Sequence, residues 1–376
     1  MSAGLYVHLP FCKSKCPYCD FYSAPRLALI DDYISAILSE LSIRITEVPQ
    51  PFVTLYIGGG TPSVLSLSQL SRLVEGIAAK IDFSAIEEFT IEANPDDVTP
   101  EWAYGVKSLG VNRVSIGVQS LIDEELQAIN RRHDAAKALD AINILRNAGI
   151  SEISADLIYG LPLQTVDSWR YSLKTLLSLH LPHFSAYCLS YEQGTRLYAM
   201  RSTGKITETD EDTIAEMNRI LVTEATSEGY QHYEISNFCL SRHQSRHNSA
   251  YWNLSPYLGL GPSAHSFDGS VRRYNPANLN DYISSLNSGV PSTVIDDETP
   301  SQRINDYIIT ALRTSAGIDL DLMRHHFPAP LVNEFLSKAH LAVANGSLRP
   351  THTGGFAIPP ERLLVSDSIM VNLLVD

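Results

Sequence analysis

Six apolar runs, at 5–9, 53–57, 89–93, 111–118, 153–158 and 184–189, alternate with segments whose apolar residues recur at helical spacing. Ile34, Ile37, Leu38, Leu41 and Ile45 mark the first such helix, and Leu70, Leu73, Val74 and Ile77 the second. Pro100 stands where a helix tolerates proline, at its first turn. Leu139, Ile142 and Leu145 lie on a helix closed by Gly149. Strand–helix alternation of this kind specifies a parallel sheet with helices outside. Six units are too few for a closed eight-stranded barrel. The expected class is therefore α/β, an open partial (β/α)6 barrel. Parallel α/β folds place their chemistry at strand C-terminal ends, so the residues there carry the functional reading.

The first strand runs into Phe11-Cys-Lys-Ser-Lys-Cys-Pro-Tyr-Cys-Asp-Phe21. Cys12, Cys16 and Cys19 thus follow the spacing Cys-x3-Cys-x2-Cys. A [4Fe-4S] cube normally takes four protein thiolates. Three closely spaced thiolates hold three irons and leave the fourth open for a small ligand. The competing readings are cysteines that merely pack, or a zinc site. Zinc prefers four protein ligands, and no paired Cys-x2-Cys follows. Tyr18 lies between the second and third cysteines, where a ring shields a cluster or simply joins the core. Lys13 and Lys15 read as solvated charges that also ease the negative charge of a cluster.

The second strand ends in Tyr56-Ile-Gly-Gly-Gly-Thr-Pro-Ser63. Glycines let backbone approach a ligand and expose N–H donors, although a triple glycine alone is also a plain turn. Glu92 closes the third strand, where a carboxylate accepts from hydroxyl or amino groups. Gln119 ends the fourth strand and should face the cavity, and Arg131 offers a planar fork for a carboxylate. Asp156 lies in the apolar fifth strand, an expensive position unless it is paired. An ion pair with Arg131 is its structural alternative.

After about residue 200 the rhythm changes. A helix is expected near 212–227, a strand at 230–235, and a Gly/Pro/Ser-rich stretch at 255–278. From about Pro300 the pattern is helical, with Ile304, Tyr307, Ile308, Ala311 and Leu312 on one face, and it ends in extended pieces at 348–358. That order suggests a smaller, mainly helical, winged-helix-like C-terminal module. The divisions drawn are 1–200, 201–298 and 299–376. Arg246-His-Asn-Ser-Ala-Tyr-Trp252 is the last informative run, with Gly259-Leu-Gly-Pro-Ser-Ala-His-Ser-Phe267 shortly after it. His, Tyr and Cys all ligate haem iron, and aromatics cover a porphyrin face. Cys239, His243 and His247 also have a zinc-like spacing without a clear fourth ligand, and a packed core role for His247, Tyr251 and Trp252 is open.

Net charge of −14 argues against broad nucleic-acid binding. Five cysteines, three of them clustered, are no secreted disulfide framework. A thiolate-held cluster needs reduced thiols, so the cytoplasm is the expected location. No signal peptide and no run long enough for a transmembrane segment is visible.

Taken in order, these motifs resemble radical S-adenosylmethionine (SAM) proteins, specifically the family of oxygen-independent coproporphyrinogen III oxidase (HemN) and its HemW-type paralogues. The resemblance covers essentially the whole chain. It implies a radical SAM partial barrel, with Cys12, Cys16 and Cys19 as cluster ligands. Tyr6, Gly59 and Glu92 match contacts to the cluster-bound SAM. Tyr18, Gly60, Thr61, Gln119, Arg131 and Asp156 match contacts to a second SAM in the oxidase. Cys188 falls near another such position, without a motif to anchor it. Two departures point to the HemW type. The oxidase carries a longer segment before its cysteines, whereas eleven residues precede Cys12 here, and it has a further cysteine where this chain has Phe21. His247-Asn-x-x-Tyr-Trp252 resembles a haem-associated motif of that group, with His247 the candidate contact. The implied function is a haem chaperone that passes haem to an apo-haemoprotein acceptor, with a reductant such as flavodoxin or ferredoxin. The alternative it implies is oxidative decarboxylation of coproporphyrinogen III.

Overall fold

β1 (Ala3–Leu9), α1 (Ile30–Arg44), β2 (Phe52–Gly59), α2 (Leu67–Ala78), β3 (Glu88–Ala93) and α3 (Pro100–Ser108) follow the alternation that the periodicity predicts. β4 (Arg113–Gln119), α4 (Asp123–Ala128), α5 (Ala135–Asn147), β5 (Glu152–Tyr159), α6 (Val166–Ser178) and β6 (His183–Cys188) continue it. The structure is a computed structural model and describes residues 2–376. All six strands pair in chain order and in parallel. Their side chains alternate between two faces, as every strand requires. Leu5, Val7, Leu55, Ile57, Ile91, Val114 and Ile116 are buried in the main core with Ile37, Leu73, Ile77 and Ile142 of the helices. The other set faces the concave side and is polar. It brings Tyr6, Tyr56 and Thr90 into one row, and sets Glu92 beside Ser115 and Asp156 beside Ser185.

The chain then forms α7 (Arg196–Ser202), α8 (Glu211–Ser227), β7 (Gln231–His232), β8 (Asn237–Cys239), α9 (Arg246–Ala250) and β9 (Tyr257–Leu260). β10 (His265–Phe267), β11 (Arg272–Tyr274), α10 (Leu279–Asn287) and β12 (Val294–Ile295) follow. Their strands extend the same sheet at both ends. β8 and β7 add antiparallel to β6, while β9 adds parallel to β1 and β10–β12 follow antiparallel. The strand expected at 230–235 contracts to two residues. Three strands lie in the Gly/Pro/Ser-rich stretch, where composition does not reveal them. There the chain folds back so tightly that a Cβ on Gly259 would stand 2.0 Å from the His265 carbonyl oxygen.

A buried polar network ties this edge to α1. Glu40 accepts from Arg44 at 2.6 Å, from the Gly261 N–H at 2.9 Å and from Asn275 at 2.7 Å, and also from the Tyr282 hydroxyl. Removing one donor leaves part of a buried carboxylate unsatisfied. Tyr282→Phe is therefore expected to destabilise the protein by about 1–3 kcal/mol in urea unfolding, with cluster content unchanged.

α11 (Pro300–Leu312), α12 (Leu320–His326), α13 (Ala329–Ala344), β13 (Arg349–Pro350), β14 (Phe356–Ala357) and α14 (Ser366–Val371) complete the fold. This helices-then-hairpin module has its own core, which includes Ile304, Ile308, Met323, Phe335 and Phe356. Among the described residues no helix is long and apolar enough to cross a membrane.

Candidate functional site

The loop that leaves β1 carries the three cysteines, and backbone bonds fix both its ends. Gly60 N–H donates to the Leu9 carbonyl at 2.7 Å and Thr61 N–H to the Phe11 carbonyl at 2.8 Å. Ala24 N–H donates to the Pro10 carbonyl at 2.6 Å, and the Phe11 ring is fully buried. The glycine segment after β2 thus clamps the cysteine loop, so the amides of Gly60 and Thr61 are already engaged. Thr61 Oγ1 donates to Cys12 Sγ and Arg131 Nη1 to Cys16 Sγ, each at 3.5 Å. Donors aimed at sulfur favour the thiolate and tune sulfur-held iron. Burial pushes the Cys19 thiol up to about 11 and raises Cys12 as well. Iron ligation reverses that cost, because a coordinating thiol is deprotonated outright.

Among the described residues no three His, Cys, Asp or Glu side chains converge as ligands of one ion. A single zinc ion needs that convergence, whereas each thiolate of a cube binds a different iron. Three thiols at this spacing, with Thr61 and Arg131 donating to two of the sulfurs, fit a cube as a donor set. The other zinc-like trio is dispersed by its own hydrogen bonds. Cys239 is buried in β8, His243 Nδ1 meets Glu152 at 2.9 Å, and His247 points elsewhere.

Glu92 sits inside the barrel at the end of β3. Its Oε1 accepts from the Tyr56 hydroxyl at 2.8 Å and its Oε2 from the Gly59 N–H at 3.0 Å. Gly59 has φ +106°, and a Cβ there would stand 2.4 Å from the His8 ring, so only glycine fits. Burial lifts the Glu92 carboxyl to about 7, against the two hydrogen bonds. Asp156 accepts from Ser115 at 3.0 Å, and burial lifts it to about 6 against hydrogen bonds from Ser185 and Ser115. The alternative ion pair between Asp156 and Arg131 is not found among the described residues. Arg131 Nη2 instead donates to the Gly117 carbonyl at 2.6 Å, while its buried Nε has no partner. Gln119 ends β4 at φ +66°, a strained conformation for its type, and its amide closes over Gly117 beside Arg131. Tyr18 packs on Ile129, Ile158 and Leu161, and burial raises its phenol next to Arg131 and Cys16. Tyr6 donates to or accepts from His8 Nδ1 at 3.0 Å on the same concave face.

His247 lies on the floor of the barrel. It is 1% exposed, stacks on Tyr56 at 5.1 Å, and engages both ring nitrogens, with Thr54 and Tyr251 at 2.8 Å each. Glu88 accepts from the Arg246 and His247 amides at 2.8 and 2.9 Å, which seats α9 on the barrel floor. Burial lowers the ring to about 3. His247 in this position is a floor residue with no free nitrogen for iron. Cys188 is exposed at the end of β6. Lys13 is held by Asp97 at 2.7 Å, and Lys15 reaches the Phe21 carbonyl. His8, Ser115, Ser185 and Tyr187 join the interior without a motif to mark them, although each lies two residues from another polar position in its strand.

Comparison with known proteins agrees with this geometry. The Radical SAM superfamily profile matches residues 6–176. The heme chaperone HemW of Bacillus subtilis is 36% identical over 321 residues, covering 83% of this chain and 84% of that protein. HemW of Lactococcus lactis is 35% identical over 326 residues, covering 86% and 84% respectively. The structure of coproporphyrinogen III oxidase (HemN) from Escherichia coli, a radical SAM enzyme, superposes with a TM-score of 0.83 at 23% identity, over 100% of this chain and 90% of that one. It shares the fold, including the parallel barrel and the C-terminal helices. The superfamily implies a [4Fe-4S] cluster and SAM. The chain belongs to the HemW family within the radical SAM superfamily.

Proposed function

We propose that this protein is a haem chaperone that holds a [4Fe-4S] cluster and SAM in its barrel, takes up haem, and delivers it to apo-haemoproteins. The observation that carries the reading is the match to proteins named heme chaperone over more than four-fifths of both chains, at 36% and 35% identity. Cys12, Cys16 and Cys19 ligate the cluster, and Thr61 and Arg131 tune its sulfurs. A cluster held by these residues would supply the electron that SAM chemistry needs. Glu92 accepts from the amino group or ribose hydroxyls of SAM, with Gly59 allowing close approach and Tyr6 bounding the space from β1. Gln119, Arg131 and Asp156 line the side toward β4 and β5, where the unpartnered Arg131 Nε suits a carboxylate. Tyr18, Gly60 and Thr61 complete that second region. The electron comes from a small reductant such as flavodoxin or ferredoxin. A cytoplasmic setting follows from the need for reduced thiols.

Anaerobic reconstitution followed by parallel titration tests the reading. Haem is expected to bind at one per chain with a Soret band, and coproporphyrinogen III is expected to persist unchanged. Catalytic formation of protoporphyrinogen IX would overturn the chaperone reading in favour of the oxidase.

A further inference from the structure

The motif His247-Asn-x-x-Tyr-Trp252 divides at its helix. His247 turns into the barrel floor, whereas Tyr251 and Trp252 also border a cavity of about 440 Å³. That cavity lies between the α9 segment, the antiparallel strands β9–β11 and the helices α11 and α12. We propose that haem binds in this cavity, with its iron ligated by His265 or His326 and a propionate held by Arg303. The inference rests on the haem-chaperone reading and names the place where that cargo sits.

Four observations converge on it. The walls are aromatic, with Tyr251, Trp252, Tyr257, Phe267, Tyr307 and Phe327, and flat rings suit a flat apolar macrocycle. The volume lies in the range of cavities that enclose ligands of a few hundred daltons. Two histidines reach it from different elements, His265 from β10 and His326 from the end of α12. Neither ring makes a hydrogen bond among the described residues, so both keep a lone pair for iron. The four buried histidines behave otherwise. His8, His133, His183 and His247 each engage both ring nitrogens. Burial lowers both cavity histidines, helped by Arg272 at His265 and His325 at His326, which keeps the rings neutral and able to ligate.

Charge in the cavity is arranged to suit a dianion with an apolar body. Arg272 is already neutralised by Asp306 at 3.0 Å and Glu298 at 3.8 Å. Arg303 also borders the cavity and has no ion-pair partner among the described residues. A guanidinium without a carboxylate matches a propionate. Trp252 Nε1 is a buried donor with no acceptor, which a second propionate oxygen would supply. No residue of the cysteine loop borders this space. Haem in this cavity therefore lies apart from the cysteine loop.

Haem titration of the full chain, followed by the Soret band, tests the site. The comparison set is the wild type, His265→Ala, His326→Ala, the double variant, and Thr310→Trp, which fills the cavity from α11. Wild type is expected to bind one haem. At least one single histidine variant should shift the Soret band, and the double variant and Thr310→Trp should each weaken binding at least tenfold. Reconstituted cluster absorption reports that these variants fold. Unchanged affinity and Soret position in both the double variant and Thr310→Trp would overturn this site while leaving the chaperone reading intact. Failure of the wild type to bind haem would overturn both.

Discussion

Replacing Cys12, Cys16 and Cys19 together by alanine is expected to abolish the [4Fe-4S] cluster and leave the barrel folded. The loop is held by backbone hydrogen bonds from Gly60, Thr61 and Ala24 and by the buried Phe11 ring, not by its thiols. All three thiols are only partly buried, so truncation opens no large core cavity. The cost in stability should stay near or below about 1 kcal/mol, as for substitutions away from core packing. The two cysteines left in the triple variant lie outside the loop, Cys188 at the end of β6 and Cys239 buried in β8. Iron content, visible cluster absorption and far-UV circular dichroism check the three parts of this expectation. Full iron incorporation in the triple variant would show that the ligands are elsewhere. Loss of the helical signal would show that the thiols hold the fold.

The barrel was legible because its two faces differ. Outward positions such as Leu5, Val7, Leu55 and Ile57 make continuous apolar runs, and the helices repeat apolar residues at fixed spacing. Motif residues at strand ends could be placed for the same reason, since a parallel sheet aligns those ends. What was missed lies where pattern and structure part. The polar residues at alternate positions of β1 to β6 were read singly, although together they line one interior. Ser154, Asp156, Ser185 and Tyr187 form part of that lining. β9–β11 are short, and Gly259 answers to close backbone approach rather than to a turn. The direction of the His247 ring was not legible either. A motif gives the residue types but not the direction of a side chain, and the helix on Glu88 turns this ring inward. A cavity shared by β9–β11 and the C-terminal helices joins residues far apart in the chain, which no local pattern announces.

Glu92→Gln is expected to weaken SAM binding and, in the cluster-free protein, to raise stability at alkaline pH. The Glu92 carboxyl is lifted by burial from 4.5 to about 7 in the folded state. Between those values the folded protein binds the proton more tightly than the unfolded chain does. Its stabilising contribution is therefore complete below 4.5 and is lost as pH rises through about 7. A shift of that size corresponds to about 3 kcal/mol as an upper figure. Glutamine keeps the shape and cannot ionise. Its Oε1 accepts from the Gly59 N–H, while the Tyr56 hydroxyl rotates to accept from Nε2. Urea unfolding should therefore favour the variant at pH 8, with the gap closing by pH 5. SAM affinity should fall roughly 10- to 100-fold, since hydrogen bonds to charged groups are worth about 1.5–3 kcal/mol. A stability gap that stays constant with pH would mean that burial does not hold the carboxyl up. Unchanged SAM affinity would remove Glu92 from the binding site. If both effects appear, a carboxylate that weakens the empty fold is kept because its ligand needs the charge, and the same residue then marks where SAM lies.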